Sequence, residues 1–289
     1  MITKTIPISK EAVLETYIQD PEVSFHTYVD RPALVICPGG AYLIHATKEG
    51  EPIALDFLAR GFHTFVLKYT IATDRYHPEK GVNEDLRYPQ PSIELMEAIH
   101  LIKQNAKAWH IDPDAIFLAG FSAGAHVAGT VGYRWNDPAL TSQLSFTPQK
   151  AELRPAGLVL GYPMVGHNPA GFENDIDPEN VQLVNHVLYG TQTPTSEQIE
   201  SVKLKNYVDP KTAVPTFIWH SIDDPVVSCR MSQELIKTLQ QNNINCEYHL
   251  FSHGGHGLGL APGDPAIRLW PALAEIWMKS LEKNHENDC

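Results

Sequence analysis

Cysteine is scarce and scattered: Cys37, Cys229, Cys246 and Cys289 are the only four in 289 residues, and no two form a C-x-x-C pair. That argues against a disulfide-stapled scaffold, and the four read as free thiols. Long apolar runs are missing as well. Although 43% of the residues are hydrophobic, no stretch approaches the roughly 20 residues of a membrane-spanning helix. Clusters of Lys and Arg are absent, and 22 basic against 34 acidic residues leave a formal charge of -12. A nucleic-acid backbone or an anionic lipid surface would be repelled at long range, so neither is expected as a partner. Met1 to Lys10 carries no apolar segment of signal-peptide length, which predicts a cytoplasmic protein. With no repeat, low-complexity tract or Gly/Ser linker, one continuous domain over residues 1–289 is expected.

Short apolar runs at 33–37, 62–69, 115–118, 157–162, 216–220 and 244–251 read as strands. Between the first two, residues 48–61 suit a crossover helix stopped at Arg60-Gly61. Leu95, Ile99, Ile102 and Ala106 form a helical stripe after Pro89 and Pro91, and Asp112-Pro113-Asp114 then turns the chain into the third strand. Met231, Leu235 and Leu239 mark a further helix. Trp270, Leu273, Ile276, Trp277 and Leu281 mark the last one, whose apolar face is expected to pack on the sheet, with a homo-oligomer contact as the alternative. Alternation of this kind predicts an α/β fold: a mostly parallel sheet with helices on both faces. The Asn-, Asp- and Pro-rich stretch 167–212 predicts a small helical insertion over the edge where the strands end, a candidate lid or pocket wall.

Ligands of such sheets gather at the carboxyl ends of the strands, and the residue patterns that carry chemistry fall there. After 115–118 comes Gly120-Phe121-Ser122-Ala123-Gly124, a G-x-S-x-G pentapeptide. A nucleophilic serine on a sharp strand-to-helix turn needs small residues on either side, where larger ones would strike the neighbouring strand and helix. After 216–220 comes Asp223-Asp224, either of which could orient a histidine, with the position after the strand favouring Asp224. After 244–251 a glycine-dense loop carries His253 and His256, and spacing only mildly favours His256 as a base. His253 and His256, with Asp223 or His220, also suggest a metal site. The pattern lacks the helix and glutamate of H-E-x-x-H, and no metal is expected. After 33–37, Pro38-Gly39-Gly40-Ala41-Tyr42 could aim backbone N–H groups into the same region, alongside the N–H of Ala123.

The chain order Ser122, Asp224, His256 and these four stretches together resemble the α/β-hydrolase superfamily. The likeness is to its small bacterial carboxylesterases, related to acetyl-xylan esterases and hormone-sensitive-lipase-like esterases. Pro38 to Tyr42 is similar to the family's oxyanion loop, Gly120 to Gly124 to its nucleophile elbow, His220 to Val227 to H-G-x-x-D-x-x-V, and Gly254 to Gly257 to G-G-H-G. The resemblance implies a catalytic triad of Ser122, Asp224 and His256, oxyanion N–H groups at Gly40, Ala41 and Ala123, and no cofactor. Three departures are Ala41 for a third glycine, Ser221 for glycine, and Cys37 where relatives often carry histidine. The implied function is serine hydrolysis of a small-molecule ester with a short, acetyl-type acyl group. A peptidase, formamidase or thioesterase, or a binding protein on the same fold, are the alternatives. Tyr42, Tyr69, Tyr88 and Tyr162, near strand ends, are candidates to narrow the pocket.

Overall fold

The computed structural model describes residues 1–20, 29–73, 79, 81–166 and 178–286. Eight strands form one sheet: β1 (Ile2–Pro7), β2 (Val13–Ile18), β3 (Arg31–Cys37), β4 (His63–Lys68), β5 (Ile111–Phe121), β6 (Gly157–Gly161), β7 (Thr216–Ser221) and β8 (Cys246–Phe251). Their spatial order is β1-β2-β4-β3-β5-β6-β7-β8, with β1 and β2 antiparallel and every pair from β4 to β8 parallel. The six strands expected from the sequence are present. β1 and β2 are additional to these; β1 is an outer strand with mostly exposed residues and lacks an apolar run. The expected turn at Asp112-Pro113-Asp114 is instead part of β5. Pairing jumps from Arg31 with Ile111 to Ala33 with Ile116, so these three residues bulge out of the ladder without ending the strand.

Alternation along the strands sorts side chains onto two faces. Ala33, Val35 and Cys37 of β3 join Ile116 and Leu118 of β5 on one face, while Leu34 and Ile36 join Phe117, Ala119 and Phe121 on the other. The first face is covered by helices α2 (Gln90–Gln104), α3 (Ala123–Arg134) and α6 (Cys229–Gln241). The second is covered by α1 (Glu51–Ala59) and α7 (Trp270–Glu286). In α7, Trp270, Ala274, Trp277, Met278 and Leu281 are buried against the sheet, whereas Ile276 points outward at 67% exposure. Of the expected insertion, 167–177 lies outside the described residues. The remainder forms α4 (Pro178–Tyr189), α5 (Ser196–Ser201) and a 3₁₀ turn at Leu204–Tyr207, with Val184, Val187 and Leu204 packed into the first-face core. Among the described residues no helix is long and apolar enough to cross a membrane.

The sheet order makes a switch point. From β3 the chain crosses to β4 on one side, then returns to lay β5 on the other side of β3. Loops after β3 and β5 therefore leave the same edge as neighbours and diverge, opening a crevice between them. Cys37 pairs with Gly120, so the Pro38 loop and Ser122 emerge side by side.

Candidate active site

Ser122 has φ 50 and ψ -119, outside the regions that residues with a side chain prefer. Its neighbours enforce that turn. A Cβ at Gly124 would lie 2.0 Å from the Cys37 carbonyl oxygen, and one at Gly120 would lie 2.4 Å from the Gly124 oxygen. The first collision is with the end of β3 and the second with the start of α3, the strand and helix the pentapeptide predicts. The end of β6 clamps the turn: Ser122 N–H donates to Gly161 O at 3.1 Å, and Ser122 O accepts from Met164 N–H at 3.1 Å.

Ser122 Oγ lies 2.9 Å from His256 Nε2, and His256 Nδ1 lies 2.7 Å from Asp224 Oδ2. The Asp224 side chain is closed to solvent, and burial alone would push its pKa up. Hydrogen bonds from His220 and His256 and from the Val227 amide outweigh burial and hold it down at about 2. A charged carboxylate only accepts, so Nδ1 of His256 carries the hydrogen, Nε2 presents its lone pair, and the Ser122 hydroxyl donates to it. The geometry thus brings together a hydroxyl, an imidazole ready to take its proton, and a fixed negative charge behind that imidazole.

The adjacent carboxylate takes a different partner. Asp223 is exposed, and its Oδ1 accepts the Gly255 N–H at 2.9 Å. His253 lies beside Asp264, Nε2 to Oδ2 3.0 Å. Among the described residues no cluster of three or more His, Cys, Asp or Glu could hold a metal ion.

His220 belongs to the site in a way the sequence did not mark. Its Nε2 lies 3.0 Å from Asp224 Oδ2 and 2.9 Å from Val227 O, both pure acceptors, so Nε2 bears the hydrogen. Nδ1 then accepts the Ser232 hydroxyl at 2.7 Å. Asp224 Oδ1 accepts the N–H groups of Val226 and Val227, each at 2.8 Å. The i, i+4 placement of His220 and Asp224 across the end of β7 was the available signal.

In the loop after β3, Gly40, Ala41 and Tyr42 all have positive φ, 126, 58 and 63. A Cβ at Gly40 would lie 2.1 Å from Ile44 O. At Ala41, which carries a Cβ, the same left-handed turn costs about 1 kcal/mol. Gly39 N–H donates to Glu49 Oε2, while no acceptor among the described residues takes the N–H of Gly40 or Ala41. Ala123 opens α3, where the first amides of a helix have no carbonyl partner within it. Three backbone donors are thus unspent around Ser122.

The tyrosines act from behind rather than as an open wall. Tyr42, Tyr69 and Tyr162 are 0% exposed, and their hydroxyls are engaged within the protein. Tyr42 donates to His126 Nδ1 at 2.7 Å, Tyr69 to Pro38 O at 2.7 Å and Tyr162 to Glu49 Oε1 at 2.6 Å. Burial lowers the His126 pKa to about 4 and keeps that ring neutral, its Nε2–H on Val202 O. Tyr88, partly buried, pairs its hydroxyl with Thr130 Oγ1 at 3.2 Å. Strand-end position foretold proximity, but these rings face the interior. Tyr162 nevertheless touches the site, its ring T-shaped to His256 at 4.9 Å between centroids. Beneath it Trp219 and Trp270 stack at 5.3 Å, and Trp270 Nε1–H holds Gly259 O of the His256 loop at 2.9 Å.

A family model named BD-FAE matches residues 26–239. The chain is 29% identical over 235 residues to endo-1,4-beta-xylanase B of Butyrivibrio fibrisolvens, covering 81% of this chain and 33% of that protein. It is 27% identical over 241 residues to an acetylxylan esterase of Xylanibacter ruminicola, covering 78% and 41%. A carboxylesterase structure from Lactobacillus plantarum superposes with a TM-score of 0.78 at 29% identity, with 96% of each chain covered. The chain spans a third to about half of the length of the curated relatives it matches.

Proposed function

The chain belongs to the BD-FAE family of α/β-hydrolase esterases, and from that premise we propose that it hydrolyses short-chain, acetyl-type carboxylic esters through Ser122, His256 and Asp224. His256 Nε2 takes the Ser122 proton as Oγ attacks the ester carbonyl. The N–H groups of Gly40, Ala41 and Ala123 receive the oxyanion, an effect on the order of 3 kcal/mol per donor. The imidazolium, stabilised by the Asp224 carboxylate, returns its proton to the departing alcohol. Water, activated by the same imidazole, then frees the acid from the acyl-enzyme.

One observation carries this reading: a serine at φ 50, 2.9 Å from an imidazole that a carboxylate orients at 2.7 Å. The acyl preference draws on the relative named acetylxylan esterase. With p-nitrophenyl acetate, Ser122→Ala is expected to lower kcat by about 10⁴-fold or more. A fluorophosphonate should label the wild type once per chain and leave the variant unlabelled. Turnover by Ser122→Ala at the wild-type rate overturns the assignment. Acetate should be turned over faster than octanoate; the reverse order removes the acyl preference and leaves the ester chemistry standing. Because His256 acts unprotonated, kcat/KM should fall on acidification, and a rate that does not fall contradicts its role.

A further inference from the structure

Behind Ser122 lies a second buried carboxylate that the steps above do not use. Glu49 ends the 3₁₀ turn Thr47–Glu49 and is 1% exposed. Its Oε2 accepts Gly39 N–H at 2.8 Å and its Oε1 accepts the Tyr162 hydroxyl at 2.6 Å. The Tyr162 oxygen in turn accepts Gly259 N–H at 3.0 Å. These directions are forced. A backbone amide can only donate, and the tyrosine, accepting from Gly259, has its own hydrogen left for Glu49. Both oxygens of residue 49 must therefore accept, which a carboxylate does and an amide does not.

We propose that Glu49 is a positioning residue that holds the oxyanion loop and the His256 loop in one register, gripping Gly39 N–H directly and Gly259 N–H through Tyr162. The proposal rests on the triad reading above. Gly39 directly precedes Gly40 and Ala41, and a Cβ placed on it would lie 2.6 Å from Glu49 Oε2 and 2.9 Å from Ser122 Cβ. That segment is pressed between the serine and the carboxylate, so Glu49 sets where the next two amides point. Gly259 lies three residues beyond His256, on a loop whose glycines 254, 255, 257 and 259 all have positive φ. Burying a carboxylate without a Lys or Arg partner is costly, and among the described residues Glu49 has no such ion pair. Burial accordingly pushes its pKa up, against the bonds from Tyr162 and Gly39. An apolar residue there would be cheaper for folding but would leave the Gly39 amide and the Tyr162 hydroxyl without an acceptor.

The test compares wild type, Glu49→Gln, Tyr162→Phe and the double variant with p-nitrophenyl acetate. A trifluoromethyl ketone serves as a tetrahedral adduct mimic, and thermal melts confirm folding. Oxyanion donors act in the transition state rather than on bound substrate, so a positioning fault lowers kcat and spares KM, as lost packing alone would not. Each single variant should lose about 10- to 100-fold in kcat with KM within about twofold, and ketone affinity should fall in the same proportion. Since both act along one chain of bonds, the double variant should lose no more than the worse single. The proposal is overturned by a kcat within about twofold of wild type in either folded single variant, by unchanged ketone affinity, or by losses that multiply. If Glu49→Gln does not fold, Tyr162→Phe carries the same test. Full turnover by Ser122→Ala would sink the triad and this proposal together. An inactive Ser122→Ala beside a fully active Glu49→Gln sinks the positioning role alone.

Discussion

Two carboxylates closed to solvent flank His256, Asp224 at the end of β7 and Glu49 before α1, and their surroundings divide them. Asp224 gathers hydrogen bonds from His220, His256, Val226 and Val227. Glu49 gathers two, from Gly39 and Tyr162. Burial pushes both pKa values up; at Asp224 the imidazole and amide bonds overcome it and hold the group at about 2, while at Glu49 the two bonds leave it raised. Donor count thus separates a buried carboxylate held charged from one whose pKa stays raised.

Replacing Asp224 by Asn attacks that division most strongly. An Asn can offer its NH₂ to His256 Nδ1, which moves the ring hydrogen to Nε2 and leaves nothing to take the Ser122 proton. A loss of about 10³- to 10⁴-fold in kcat is expected for Asp224→Asn, with folding retained. Steady-state kinetics decide it, and a loss under about tenfold would mean that Asp224 only fills space.

The same contrast should appear as opposite pH dependences of stability. Asp224 titrates lower in the folded chain than in the unfolded one, so its contribution is present above the ordinary Asp range and is lost as pH falls toward about 2. Its size is about 2 kcal/mol for a group shifted from 3.8 to about 2. Glu49 titrates higher when folded, so its charged form weakens the fold, and that penalty is relieved as pH falls through its raised folded value. Denaturant unfolding from neutral to acidic pH should show the stability gap between wild type and Asp224→Asn shifting against wild type on acidification. The gap to Glu49→Gln should shift in its favour. Shifts of the same sign would show that the two groups do not differ as described.

Much of this site was legible before any coordinates. Gly120 and Gly124 announced the turn because no other residue fits between β3 and α3, and apolar alternation placed Asp224 and His256 after strands ending at one edge. Spacing favoured His256 over His253 only mildly, since both lie on one loop, and their different partners appear only once Asp264 and Asp224 are in place. For Tyr42, Tyr69 and Tyr162 a strand end fixes where a residue is but not which way its ring turns, and these hydroxyls found acceptors in the interior. Glu49 was invisible because residues 48–61 read as a crossover helix by their apolar positions. A buried glutamate beside Gly50 looks, in sequence, like any helix-starting acid.

The smallest effect is expected one residue from Asp224. Asp223 shares its turn with Asp224, yet its side chain is exposed, its Oδ1 accepting the Gly255 amide. That bond draws its pKa down, as does the Gly254 amide, but water can replace an exposed acceptor. The His256 loop keeps its other anchors when Asp223 is removed: Gly259 N–H on Tyr162, Gly259 O on Trp270 and His256 itself on Asp224. For Asp223→Ala a loss of about two- to threefold in kcat is expected, with KM and melting temperature near wild type. A loss approaching that of Asp224→Asn would mean that the loop is held from its exposed side. The buried bonds through Tyr162 would then not be the ones that set the position of His256.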